Sequence, residues 1–263
     1  MQQGILILVS THAEVGESGA LESFAQTLAR LRSAQKGRAA GAPAYSIYVN
    51  RPVGRFFAAV AYRLGATPNQ VTLVSALFTF TGIALIAAAP VTLLSGLAIW
   101  LLLAVGYALD SADGQVARLR GGGSLAGEWL DHFIDALKIS SLHLAVLVGL
   151  ARVDILPVGM LAFPLIFAVV ANTTFFGMIL NDLLKGKASV ASSTAVGGGG
   201  SMRSFLLLPT DFGILCAAFV FWGWTSGFIL LYGALAVCCL VFLIAAAIKW
   251  FRDMRRIDGE RTR

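Results

Sequence analysis

Long apolar runs alternate with short polar breaks along this chain. A helix needs roughly 20 apolar residues to cross a hydrocarbon core of about 30 Å. Six windows meet that length, at about 71–89, 92–112, 129–150, 156–180, 204–222 and 226–250. The pattern predicts an all-α membrane protein of six transmembrane helices, occupying residues 69–252. Just upstream, over 45–68, Val53, Phe56, Phe57, Val60 and Leu64 interleave with Arg51, Arg55 and Arg63, and Pro52 suits a first helical turn. That mixture predicts an amphipathic helix lying in the membrane interface, stopped by "GATPN". Residues 1–44 form a polar extension in which Leu21, Phe24, Leu28 and Leu31 recur at helical spacing, followed by the linker "KGRAAGAPA". "GILILVS" is too short for a signal-peptide core and has no basic flank before it, so it reads as retained. Residues 253–263 read as a basic tail.

Composition agrees with lipid as the solvent. The chain is 57% hydrophobic and 13% charged, against about 45–50% and 25% in soluble domains. Lys and Arg placement sets the orientation. Seven precede the first span, two follow the second, three follow the fourth and six follow the start of the last turn of the sixth, together 18 of the 20. Both termini and the polar segment after the second span are therefore expected on the cytoplasmic side of the cell inner membrane. The formal charge of +6 suits an anionic leaflet. It is spread over helix ends rather than gathered in a soluble domain, which excludes nucleic acid as a partner. Cys216, Cys238 and Cys239 all fall in predicted spans and read as small apolar residues, with no Cys/His metal spacing. "GGGGS" in the long inner loop, about 181–203, is a flexible stretch, either lid or slack.

One segment resists a purely apolar account. "DSADGQVARLRGGGSLAGEWLDHFID", residues 110–135, carries Asp110, Asp113, Glu128, Asp131 and Asp135 between two apolar runs. Asp110 and Asp113 are three apart, Asp131 and Asp135 four apart, so each pair shares a helix face. A Gly-rich turn can bring the two pairs together. Four convergent carboxylates in a low dielectric cannot all stay ionised without a cation among them. Oxygen donors favour Mg²⁺, Mn²⁺ or Ca²⁺ over zinc, and four suffice for two ions about 4 Å apart, an arrangement that clamps phosphoryl groups. Gly114, Gly127 and Ala117 permit close approach, and Arg118 can fork onto a phosphate.

Other roles compete at each position. Acids within spans also build cation or proton pathways. Glu128 reads as a solvated helix-start residue. Lys138, three past Asp135, is either a structural counter-ion or an acceptor-binding group. His132 points about 100° from Asp131, the angle between helix neighbours at 3.6 residues per turn, and reads as packing. His143 reads as a satisfied core histidine. Asp211 is either a functional acid or, with Thr210, a cap after Pro209.

The spacing Asp110-x2-Asp113-Gly114-x2-Ala117-Arg118-x8-Gly127-x3-Asp131-x3-Asp135 resembles the signature of the CDP-alcohol phosphotransferases at every fixed position. Eight positions at roughly 7% each coincide by chance about once in 10⁹ starts. "NRPVGR", "TPNQVT" and the six spans extend the resemblance over residues 46–250. It implies a membrane enzyme, usually a homodimer, that moves a substituted phosphate from a CDP-linked donor to an alcohol and releases CMP. Asp110, Asp113, Asp131 and Asp135 would bind two Mg²⁺ or Mn²⁺ ions, and Asp135 would also be the general base. Gly114, Ala117, Arg118 and Gly127 would line the CDP pocket. "DHFID" also resembles the Asp-His-x-x-Asp of choline/ethanolamine phosphotransferases, which makes His132 an alternative base.

CDP-diacylglycerol is the expected donor, because a lipid tail can stay in the bilayer. A soluble CDP-alcohol such as CDP-inositol is the alternative, and a cation transporter is the rival from another class. Lys138, Lys187 and Arg203 are candidate acceptor-binding residues on or near the inner side.

Overall fold

The computed structural model describes residues 23–33, 42–153, 157–188 and 201–261. Most of the 1–44 extension, much of the linker, and the central part of the long inner loop with its "GGGG" lie outside them. Among the described residues every regular element is helical: α1 Phe24–Ser33, α2 Arg51–Arg63, α3 Pro68–Ala88, α4 Leu93–Leu119, α5 Leu125–Ala151, α6 Ala162–Lys187, α7 Ser201–Leu206, α8 Phe212–Ala218 and α9 Thr225–Arg261.

Local chemistry sets most of these boundaries. A π-helical turn over Ser46–Asn50 runs into α2, with the Arg51 amide donating to the Ser46 carbonyl. Pro52 brings no N–H of its own to this ladder, and the wider turn suits its ring. The helix stops at Gly65, φ +76°, where the Ala66 amide reaches back to the Ala61 carbonyl at 3.0 Å, a glycine-terminated end. Thr67 and Gln70 form a reciprocal capping box that opens α3 with Pro68 in its first turn. Thr92 and Ser95 do the same for α4. Gly121 and Gly122, at φ +92° and +130°, end α4, and the Ser124 hydroxyl caps α5 by accepting from the Gly127 amide. The "GGGS" run is thus a stop followed at once by a start.

Five helices are long and apolar enough to cross a membrane: α3, α4, α5, α6 with the turn before it, and α9. The sixth expected span, 204–222, is not one helix. It divides into α7, a 3-10 turn at Leu208–Thr210, α8 and a second 3-10 turn at Phe219–Phe221. Pro209 prevents a continuous ladder, and Asp211 restarts it by capping α8 through the Gly213 amide at 2.8 Å. Its other contacts explain why an acid sits here. Asp211 accepts from the Ser46 amide at 2.8 Å and from the Tyr107 hydroxyl at 3.2 Å, tying the turn before α2 to α4 and α8. Within the expected tail 253–263, α9 continues to Arg261. At 1.5 Å per residue that helix is about 55 Å long, more than a hydrocarbon core.

The helices approach through small residues. A Cβ on Gly149 of α5 would lie 2.4 Å from the Ile86 carbonyl oxygen of α3 and 3.0 Å from the Trp222 ring. One on Gly54 of α2 would lie 2.9 Å from the Ala108 carbonyl oxygen of α4. Close crossings of this kind replace hydrophobic drive inside a bilayer. The larger core joins α3, α4, α5, α6, α8 and α9 around Ile86, Leu103, Val146, Phe219, Trp222 and Tyr232. His143 is part of it, stacked on Phe167 and paired through Nδ1 with the Tyr232 hydroxyl at 2.6 Å, as its core reading expects. A smaller core under α1 and α2 contains Leu31, Ala58, Ala59, Val71, Ala112 and Val116.

Two outcomes follow for stability in detergent. Gly149→Ala should lower stability by about 1–3 kcal/mol through overpacking against backbone. Gly186→Ala, facing open space within α6, should be neutral or gain about 0.4–1 kcal/mol. Thermal unfolding of the two variants side by side checks this, and equal effects would sink the crossing argument. Asp211→Ala should cost about 1–3 kcal/mol by stranding three donors, whereas Asp211→Asn should recover much of that loss. The same unfolding assay reads both.

Candidate active site

The turn between α4 and α5 places their acidic ends side by side. Lys138, on α5 and buried, bridges the two helices: its Nζ pairs with Asp110 of α4 and, at 3.0 Å, with Asp135 of α5. This is the counter-ion arrangement weighed against an acceptor role. Asp110 lies close enough to Asp113, Asp131 and Asp135 to repel each of them. The four signature carboxylates therefore converge at one end of the bundle. Among the described residues, no ion pair engages Asp113 or Asp131.

Asp113 is held from a third helix. The Thr72 hydroxyl of α3 donates to its Oδ2 at 2.6 Å, and the Gly114 amide donates to Oδ1. Thr72 belongs to the "TPNQVT" stretch, and its role went unread because only the fold brings α3 beside α4. Asp131, His132 and Asp135 each offer one ligand atom, all within 4.8 Å of one another. His132 is thus nearer the acids than its helical angle suggests. Its Nδ1 is buried without a hydrogen-bond partner, and its ring meets Phe175 edge-on at 6.2 Å. Glu128 is exposed in the first turn of α5, as a helix-start residue should be.

These donors fit divalent cations. The atoms within 4.8 Å of one another come from two carboxylates and one imidazole, mostly hard oxygen ligands. Asp110 and Asp113 stand beside them, and a single ammonium offsets only part of the charge. Around them, Gly114 lies under Arg118, whose Nη1 would sit 3.6 Å from a Cβ there. A Cβ on Gly127 would meet the Asn69 side-chain oxygen at 3.1 Å, so Gly127 lets the start of α3 close over the start of α5. Arg51 lies near enough to Arg118 for the two to repel, making this rim cationic where the floor is anionic. Burial and the neighbouring Arg32 hold the Arg55 guanidinium below its usual range.

Asp135 also faces away from the turn. It lines a cavity of about 470 Å³ between α5, α6, α8 and α9, walled by Ile139, Leu142, Phe167, Phe175, Met178 and Phe242. Neither Lys138 nor Lys187 lines it; Lys187 sits in the last turn of α6. The side chain of Arg203, in α7, lies outside the described residues.

Comparison with known proteins bears on the fold and the family. A curated relative, archaetidylinositol phosphate synthase of Pyrococcus horikoshii, is 37% identical over 108 residues, 41% of this chain. The match spans about half, 54%, of that relative's length. Two crystal structures of Mycobacterium tuberculosis phosphatidylinositol phosphate synthase (PgsA1) share the fold at TM-score 0.51 and 20% identity. One holds manganese and citrate, the other CDP-DAG. Each covers 77% of this chain, which in turn covers 89% and 94% of them. The sequence profile of the CDP-alcohol phosphatidyltransferases matches residues 65–249, and this membrane protein belongs to that family.

Proposed function

We propose that the chain transfers a substituted phosphate from a CDP-linked donor to an alcohol and releases CMP, in phospholipid biosynthesis. The observation that carries this reading is the convergence of Asp110, Asp113, Asp131 and Asp135 from two helix ends around a single buried ammonium. CDP-diacylglycerol is the favoured donor, since its tails can stay beside the apolar helices while its pyrophosphate meets the acids. The soluble CDP-alcohol alternative draws support from the apolar cavity at Asp135, which suits a lipid on the acceptor side.

In this reading the four aspartates would hold two Mg²⁺ or Mn²⁺ ions, with the His132 ring beside Asp131 and Asp135. When bound, such ions neutralise the pyrophosphate and make CMP a better leaving group. Arg118, over Gly114, steadies a phosphate, while Ala117 and Gly127 leave room for the nucleotide. Thr72 fixes Asp113 so that its free lone pairs face the site. Asp135, shared between the acids and the cavity, takes the acceptor's hydroxyl proton as its oxygen attacks phosphorus; His132 is the alternative base. The bond from phosphorus to the CMP oxygen breaks, and CMP leaves with the electron pair. Lys138 keeps Asp110 and Asp135 in place before the ions arrive.

The architecture belongs to the same proposal. Segment 201–222 completes six crossings as a broken element, α2 lies in the interface, and both termini with the site face the cytoplasm. The assembly is a homodimer.

CMP release by purified protein with CDP-diacylglycerol, Mg²⁺ and an alcohol panel is the direct test. Asp135→Asn should lower kcat by at least about 100-fold, the lower range for a positioned base. Cation flux through reconstituted protein with no CMP formed from any donor would favour the transporter instead. A separate outcome concerns Lys138. Lys138→Met removes the internal cation, so Mg²⁺ should raise the Tm of the variant more than that of the wild type. An equal rise in both would show that the ammonium and the metal do not share the same acids.

A further inference from the structure

The cavity beside Asp135 bears on the acceptor, given the transfer reaction proposed above. A hydroxyl placed to lose its proton to Asp135 from the side away from the helix turn has its body in that cavity. At about 470 Å³, the space falls in the range of small-molecule pockets, about 300–1,000 Å³. Its walls are chiefly aliphatic and aromatic.

Most of the polar side chains there are already engaged. The Thr174 hydroxyl donates to the Val170 carbonyl at 2.7 Å, and the Thr210 hydroxyl to the Leu207 carbonyl at 2.8 Å. The Tyr107 hydroxyl donates to Asp211, and His143 Nδ1 pairs with Tyr232. Asp211 itself accepts from two backbone amides. The charged residues lining the cavity are two carboxylates, Asp135 and Asp211, with no Lys or Arg among the described residues. The nearest buried ammonium, Lys138, is held by Asp110 and Asp135.

A phosphorylated polyol does not suit such a wall. Its phosphate would enter an apolar space facing two acids, without the guanidinium or ammonium donors that phosphates need. The relatives named above are synthases of inositol phosphate lipids; this cavity offers a phosphate no lining Lys or Arg among the described residues. We infer that the acceptor is an uncharged lipid alcohol, a hydroxyl carried on an apolar body, received by the cavity between α5, α6, α8 and α9. This rests on the transfer reading and names its acceptor class.

The test compares acceptors and one cavity-filling variant in full-length protein in lipid–detergent micelles with Mg²⁺. Donors are CDP-diacylglycerol and CDP-inositol; acceptors are 1,2-dioctanoylglycerol, glycerol 3-phosphate and inositol 1-phosphate; the readout is CMP. With at least one donor, kcat/KM for dioctanoylglycerol should exceed that for either phosphorylated acceptor tenfold or more. Ala171→Phe, which fills the cavity from α6, should cut that kcat/KM at least tenfold while the Kd for CDP stays within twofold, a sign that the variant is folded. Preference for a phosphorylated acceptor overturns the inference, most directly if Arg203→Ala abolishes it. A higher KM for CDP-diacylglycerol in Ala171→Phe, with acceptor use unchanged, assigns the cavity to a donor chain and also overturns it. If Ala171→Phe alters neither, the cavity receives no substrate. Absence of CMP from both donors with every acceptor instead brings down the transfer reading, and the acceptor assignment with it.

Discussion

The ion pairs that Lys138 makes with Asp110 and Asp135 are the constraint on which the rest of this fold depends. Bringing four carboxylates to the end of two apolar helices opposes both solvation and mutual repulsion. A buried pair is weak evidence for stability in itself, yet removing one partner typically costs about 3–5 kcal/mol, because a buried charge is left alone. Lys138 also joins α4 to α5 at the point where their acids would otherwise force the helices apart. It offsets one charge, so the cluster stays electronegative and open to stronger cations.

Much of the surrounding structure keeps those helices in register. Thr72 fixes Asp113 from α3, and one turn further along the Ser75 hydroxyl donates to the Gly106 carbonyl at 2.8 Å. Gly149 lets α5 close on α3 near the far end, and Gly54 lets α2 cross α4. Across the cavity from the cluster, Asp211 is a different solution to burying an acid. It has no cationic partner among the described residues and is met by two amides and a phenol. Hydrogen bonds to a carboxylate can substitute for an opposing charge when they are this well arranged. Asp211 is therefore held by hydrogen bonds alone, whereas Asp110 and Asp135 are held by an ion pair.

The sequence was legible where chemistry is local. Five of six expected spans coincide with long helices, because hydropathy needs no knowledge of neighbours. The four aspartates and the glycine turn were readable for the same reason, since i,i+3 and i,i+4 spacing fixes a face. Lys138 was placed on that face, but choosing between counter-ion and ligand required knowing that Asp110 lies opposite. Thr72 and Asn69 were missed, because nothing in "TPNQVT" says that α3 starts beside the acids. The break in 204–222 had a local signal in Pro209, outweighed by the apolar run around it. The cavity had none. It is made by residues from Pro43 to Phe242, far apart in sequence, and its lack of a lining Lys or Arg among the described residues appears only once they meet.

Asp135 stands at the boundary between these two environments. On one side are the other acids, Lys138 and a cationic rim at Arg118 and Arg51, a setting for a charged pyrophosphate. On the other is a chiefly apolar cavity most of whose polar side chains are bonded within the protein. A single side chain reaching both is suited to join a charged group to an uncharged one, since neither substrate has to enter the other's surroundings. Water is poorly served on the apolar side, with few unpaired donors or acceptors to hold it. Under the acceptor proposed above, the same wall would also disfavour hydrolysis of the donor and leave the acceptor's hydroxyl as the favoured nucleophile.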